Sequence, residues 1–156
     1  MKTLHLAQIG RQLFAVDKER VLGVGMYNSD SPRPIEQDGR RYLPLPNGHR
    51  VVICDVRALM AGYDAEALAK PRGYYLIIAH GKQAMALPMS GKGRIVTADI
   101  AAALPLPPAC AERSRALISG VLVNGDDLIL LLNPQTVLEA TAARHLGAWH
   151  STQERG

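Results

Sequence analysis

Residues 119–140, SGVLVNGDDLILLLNPQTVLEA, constrain the fold more than any other stretch of the chain. A strand with one wet face alternates apolar and polar residues, but Leu128, Ile129, Leu130, Leu131 and Leu132 run without interruption. Such a segment must be covered on both faces. Asn124-Gly125 reads as the two positive-φ positions of a type I′ turn, so the flanking runs are expected to pair as antiparallel strands. Asn133 then reads as an N-cap and Pro134 as a first helical residue, opening a helix to about His145.

A chain of 156 residues buries roughly 70% of its unfolded surface, enough for one domain or two small fused barrels. Its start, MKTLHLAQIG, carries one lysine and an apolar run broken by His5 and Gln8, unlike a signal peptide. No segment approaches the ~20 apolar residues of a membrane span, so no membrane insertion is expected. Cys54 and Cys110 share no metal or redox spacing, and the plain reading is a reduced cytoplasmic protein. The net charge of +4 raises the alternative of a small basic β-barrel that binds nucleic acid. Against it, basic residues are spread from Lys2 to Arg155, and Arg40-Arg41 sits beside Glu36 and Asp38. With one Trp, five Tyr and one Phe there is little material for stacking bases, so nucleic acid is not the expected partner.

Read along its length, the chain is a succession of short strands. Leu4 to Ile9 and Gln12 to Val16 flank Gly10-Arg11, and Val21 to Tyr27 is extended. Residues 28–39, NSDSPRPIEQDG, read as a loop by composition. Tyr42 to Leu45 and Arg50 to Asp55 flank a second Asn-Gly turn at Asn47-Gly48, and Val56 to Met60 can make a helical turn ending at Gly62. Residues 64–72 read as a connector, helical at 65–69, where the chain is expected to divide. Tyr74 to Ala79 and Lys82 to Met89 flank His80-Gly81, then come Arg94 to Thr97 and the loop LPLPPACAERS, residues 104–114. Nine or ten short strands with one C-terminal helix point to an all-β sandwich or barrel. Two small barrels packed together would cover the outer face of the apolar hairpin.

Catalytic groupings are weak. Cys54 and Asp55 point to opposite faces of an extended segment, and Val51, Val52 and Ile53 make Cys54 a small core residue. Ser90 to Gly93, SGKG, lacks the rest of a P-loop and reads as a turn. The histidines at 5, 49, 80, 145 and 150 have no convincing ligand spacing. No catalytic, cofactor or metal site is expected.

Four segments in order resemble the CheW family, the coupling adaptors of bacterial chemotaxis arrays. LFAVDKERVLGV (13–24) resembles the family's aromatic strand, short helix and valine strand, and LPLPNGHRVVICDVRALMAG (43–62) its N-L-R-G-x-V-V-P-V-I-D-L-R pattern. YYLIIAHGKQAMALPMSGKGRIV (74–96) is similar to the family hairpin with a glycine turn. The opening stretch is similar to its I-x-G, turn, L-I-L-L-L-D/N hairpin and final helix. The similarity implies an all-β fold of two five-stranded SH3-like barrels packed together with a C-terminal helix. The domain would span 1–146, with two barrel subdomains dividing near 56–72, before a polar tail over 147–156.

The resemblance further implies a non-enzymatic adaptor without cofactors, coupling a CheA-type histidine kinase, through its regulatory domain, to the cytoplasmic tip of a methyl-accepting chemotaxis receptor. By position, Val21 matches a partner contact, and Asn47-Gly48 matches the family's Arg-Gly turn near the receptor groove. Departures are concentrated at these places. Asn47 replaces the turn arginine, Tyr42 a glycine, and Gly23 an acidic residue two places after Val21. In the second half Ser90 replaces an aspartate, while Lys92 and Arg94 stand where the family has valine and an acid. Asparagine does not reproduce a guanidinium fork. A divergent adaptor for a particular kinase or another motility array, or a paralogue that has lost one partner, is therefore open. Lys92 and Arg94 are expected to share a face if their segment is extended.

Overall fold

The computed structural model describes residues 1–28, 30–61, 73–110 and 112–142. The chain opens with β1 (Lys2–Ile9) and β2 (Gln12–Asp17), passes a 3-10 turn at Lys18–Arg20, and enters β3 (Val21–Tyr27). Next come β4 (Ile35–Gln37), β5 (Arg40–Pro44), β6 (Arg50–Ile53) and helix α1 (Val56–Ala61). β7 (Gly73–His80), β8 (Gln83–Met89) and β9 (Arg94–Ala98) lead to helix α2 (Glu112–Leu117). The apolar hairpin is β10 (Ile118–Asn124) and β11 (Asp127–Leu132), followed by helix α3 over 134–142. One sheet has the order β10, β11, β2, β1, β9 and the other β3, β7, β8, β6, β5, β4. Each sheet contains one parallel pair, β11 with β2 and β6 with β8. Residues 56–72, where a division was expected, lie between β6 and β7 of the second sheet, and the chain leaves the first sheet after β2 and returns to it at β9.

The eleventh strand, β4, lies in the segment expected to be a loop. All three of its residues are exposed, so no burial pattern marks it. Its signal is the turn: Asp38 and Gly39 both have positive φ, 54° and 76°, the signature of a type I′ hairpin. The turns expected at Asn-Gly pairs are built differently. Gly125, at φ 65°, occupies the first central position between the partners Asn124 and Asp127, and Asp126 has negative φ, as in a type II′ turn. Gly10 and Gly81 do the same in the β1–β2 and β7–β8 hairpins. At Asn47-Gly48 the loop has three residues: Gly48 N–H donates to Leu45 O (3.1 Å), Leu45 N–H to His49 O (2.7 Å), and Gly48 carries φ 83° as a bulge. Residues 112–117, partly assigned to a loop, form α2. The expected helix at 65–69 lies outside the described residues.

Three apolar cores explain the uninterrupted runs. The first barrel encloses Leu4, Leu6, Ala15, Leu122, Ile129 and Leu131. The second encloses Tyr27, Leu43, Val51, Ile53, Tyr75, Ile77 and Ala86. Between the sheets lies a shared layer that takes Ala7, Ile9, Phe14 and Val16 from one and Leu76, Ile78, Met85 and Leu87 from the other. Side chains alternate in direction along a strand, so Ile129 and Leu131 fill their own barrel while Leu130 and Leu132 reach the shared layer. The tip of the hairpin departs from the expected cover: Leu128 is 59% exposed and its partner Val123 64%, beside the Gly125 turn. Asn133 caps α3 as expected, its Oδ1 accepting from Gln135 N–H at 3.1 Å, and Val137 seats the helix on the shared layer. The second sheet is drawn round on itself where Tyr27 Oη donates to Pro44 O at 2.6 Å.

Leu130→Asp and Leu128→Asp separate the two halves of this hairpin. A charge at 130 enters the shared layer unpaired and costs several kcal/mol, against the roughly 5–15 kcal/mol that hold a domain together. L130D is expected to lose cooperative melting, whereas L128D melts within a few degrees of the parent. Soluble, cooperatively melting L130D would refute the shared layer. Gly93 supplies a second test: its φ is 77°, and a Cβ there would lie 2.1 Å from Leu6 O. Gly93→Ala is expected to destabilise the protein by more than the roughly 1–3 kcal/mol of the strained conformation alone, read by urea unfolding.

Candidate partner-binding surface

Val21 and Gly23 lie on β3, which starts from a fixed corner. Asp17 accepts from Glu19 N–H (3.0 Å) and pairs with Lys2 Nζ (2.8 Å), and the hydrogen bond to Lys2 holds its carboxyl below its ordinary pKa. Arg20 Nη1 meets His80 Nδ1 at 3.0 Å, and since a guanidinium only donates, Nδ1 is the acceptor. Val21 pairs with Ile78 and Gly23 with Ile77, so Leu22 is bulged out of the ladder. Beyond it Val24 and Met26 continue the same row. Leu22, Val24 and Met26 are 64%, 42% and 62% exposed, while the glycines alternate on the covered side. Among the described residues β3 is an edge strand with β7 as its one ladder neighbour. An apolar stripe beside an unpaired strand edge is a place for another protein to dock.

Tyr42, Asn47 and Gly48 belong to the β5–β6 hairpin. Tyr42 pairs with Val52 and lies under the Arg50 guanidinium, 4.8 Å from ring centroid to Cζ. Asn47 Oδ1 accepts from His49 N–H at 3.0 Å, so this side chain holds its own loop. The hairpin meets β3 at the Tyr27–Pro44 bond, and Tyr27 also packs edge-on against Tyr75 with centroids 5.0 Å apart. The structure therefore brings five of the seven expected contact residues onto the second barrel: Val21 and Gly23 on β3, Tyr42 on β5, and Asn47 and Gly48 in the loop that follows β5.

Lys92 and Arg94 lie on the first barrel, apart from the other five. The extended segment on which they were expected to share a face is absent: β9 begins at Arg94, and Gly93 between them has φ 77°. Only glycine fits there, since a Cβ at residue 93 would meet the Leu6 carbonyl of β1. Lys92 is exposed, its carbonyl facing His5 Nε2 at 3.4 Å, and Arg94 Nη2 pairs with Asp127 Oδ2 at 3.1 Å. Ser90, in place of the family's aspartate, ties the barrels together. Its N–H donates to Gln8 O (2.7 Å) and its hydroxyl accepts from Gly10 N–H (2.9 Å).

The stripe of Leu22, Val24 and Met26 was not singled out in the sequence, although it had a signal. Large and glycine residues alternate from Leu22 to Met26, a pattern ordinarily read with the large residues inward. Here they face out.

Cys54 is fully buried in the shared layer, where burial pushes its thiol up to about 11. A thiol at that value stays protonated near neutral pH and is a poor nucleophile. A disulfide-forming thiol reagent at pH 7.5 is expected to titrate Cys110 in the folded protein, with Cys54 appearing only after denaturant is added. Rapid reaction of both thiols in the folded state would contradict the burial of Cys54.

Among the described residues no helix is long and apolar enough to cross a membrane. A search of curated protein sequences finds no significant match. The fold is similar to that of the scaffolding protein TtCheW from Thermoanaerobacter tengcongensis. The TM-score is 0.63 at 16% sequence identity, over 85% of this chain and 84% of that one. That likeness gives the architecture, all-β with two SH3-like barrels. A family profile described as CheW-like domain matches residues 4–142, nearly the whole of the two sheets and α3. The chain belongs to the CheW-like domain family.

Proposed function

We propose that this chain is a non-enzymatic signalling adaptor that couples a CheA-type histidine kinase to methyl-accepting receptors, in chemotaxis or in another motility array. The observation that carries the reading is the edge of β3, which among the described residues pairs only with β7, with its exposed Leu22, Val24 and Met26, on a CheW-like double barrel. An edge strand offers unpaired backbone groups together with apolar anchors, the combination another β-domain needs in order to dock. A kinase regulatory domain built from the same double barrel suits that surface. Tyr42, Asn47 and Gly48 form the adjoining contact on our reading, with Arg50 stacked on Tyr42 as the nearby guanidinium. Val21 and Gly23 set the bulge that turns Leu22 outward. Lys92, exposed on the other barrel, adds positive charge there and favours a partner that presents carboxylates. We place this work in the cytoplasm, where the kinase and the receptor tip lie.

Calorimetry with the regulatory domains of the CheA-type histidine kinases of the same organism tests the reading. A 1:1 complex is expected, with Met26→Asp weakening it at least tenfold while the melting temperature is kept, since exposed substitutions change stability by only about 0.5 kcal/mol. Lys92→Glu should slow association at low salt, and the loss should shrink as salt screens it. Absence of binding to every such kinase domain in the organism would sink the proposal. Steeply salt-dependent retention on a polyanion column would move it to a nucleic-acid-binding barrel.

A further inference from the structure

The inward-facing rows of the first barrel change character at one end. On β1 Leu4 and Leu6 are followed two residues on by Gln8, and on β2 the row Ala15, Leu13 leads to Arg11 in the turn. On β9 the row Ala98, Val96 ends at Arg94, and on β11 Leu131, Ile129 ends at Asp127. The pairings Leu6 with Arg94, Gln8 with Leu13, and Ile129 with Leu13 put all four row ends at the same mouth of the barrel. Together they line an open cleft of about 430 Å³, whose apolar surface is the half-buried Leu13 above the buried Leu6, with Gly91 and Gly93 as a wall without side chains. Barrel mouths and clefts of this size are usual places for ligands.

The charges of the cleft are unevenly used. Arg94 gives Nη2 to Asp127 at 3.1 Å, which orients the guanidinium and leaves its remaining donors unassigned. Arg11 makes no hydrogen bond or ion pair among the described residues. Two guanidinium groups and one carboxylate leave one positive charge over an apolar floor. A doubly charged phosphate would exceed that charge and gain nothing from Leu13. A single carboxylate on an aliphatic stem matches both, its oxygens on the arginines and its methylenes on Leu13.

We propose that the mouth of the first barrel is a carboxylate-binding pocket, in which Arg11 and Arg94 hold the acid group of a ligand whose aliphatic stem rests on Leu13. The pocket lies on the opposite barrel from β3 and does not rest on the adaptor reading. The chemistry has two sources, a small free acid or a glutamate side chain of a bound protein.

Two probes, pentanoate and the blocked peptide Ala-Glu-Ala, are titrated into the protein and followed by amide NMR shifts, with pentanamide and blocked Ala-Gln-Ala as neutral controls. Saturable shifts centred on Arg11, Gly91, Gly93 and Arg94 are expected with the acids and not with the controls. Arg11→Gln, which removes an exposed and unbonded side chain and so leaves folding intact, should weaken binding at least tenfold. Pentanoate binding alone identifies a free acid as the source, and tighter peptide binding identifies a protein side chain. Absence of localised shifts with both acids, equal shifts with the neutral controls, or undiminished binding by R11Q would each overturn the proposal.

Discussion

Everything else in this molecule depends on the apolar layer shared by the two sheets. A small barrel encloses too little surface to offset the entropy of ordering its chain with much to spare. Here each barrel has a second burial surface on its outside. β1, β2, β7, β8 and β11 bury residues on both faces, and helix α3 closes the layer through Val137. Both Cys54 and the base of the last hairpin depend on this arrangement, because neither position is covered by its own barrel alone.

Much of this was legible in the chain. An unbroken run from Leu128 to Leu132 has one simple explanation, cover on both sides, and it holds from Ile129 onward. Most strand positions followed from glycine turns between apolar runs. The failures have local causes. β4 was missed because three exposed residues carry no burial pattern, although Asp38-Gly39 marked its turn. The Asn-Gly pairs gave the right hairpins with the wrong geometry, since at residue 125 the glycine takes the first central position and at residue 48 it takes the bulge. Leu128 looked like its neighbours in sequence, but at the turn end of the hairpin it is exposed.

The site was less legible than the fold. The family positions Val21, Gly23, Tyr42, Asn47 and Gly48 do gather on one barrel, which spacing alone could not have shown. The separation of Lys92 from Arg94 turns on a contact between Gly93 and β1 across 87 residues of sequence, counted from Leu6. The polar mouth of the first barrel is likewise written in four strands at once. Gln8, Arg11, Arg94 and Asp127 share no motif and meet only through the register of the sheet.

The parallel pairing of β11 with β2 has a consequence for how the chain is made. The second sheet is drawn from one continuous stretch, β3 to β8, whereas the first needs Ile129 beside Leu13. As the chain leaves the ribosome, the second barrel can assemble while the opening hairpin still waits for its partner. During that interval the layer around Leu76, Ile78, Met85 and Leu87 lacks Leu117, Ile118, Leu132 and Val137, which are not yet synthesised. Long-range pairings of this kind form slowly and leave apolar surface open to other chains. The nascent protein is therefore most exposed to aggregation, and to capture by chaperones, just before its last hairpin emerges.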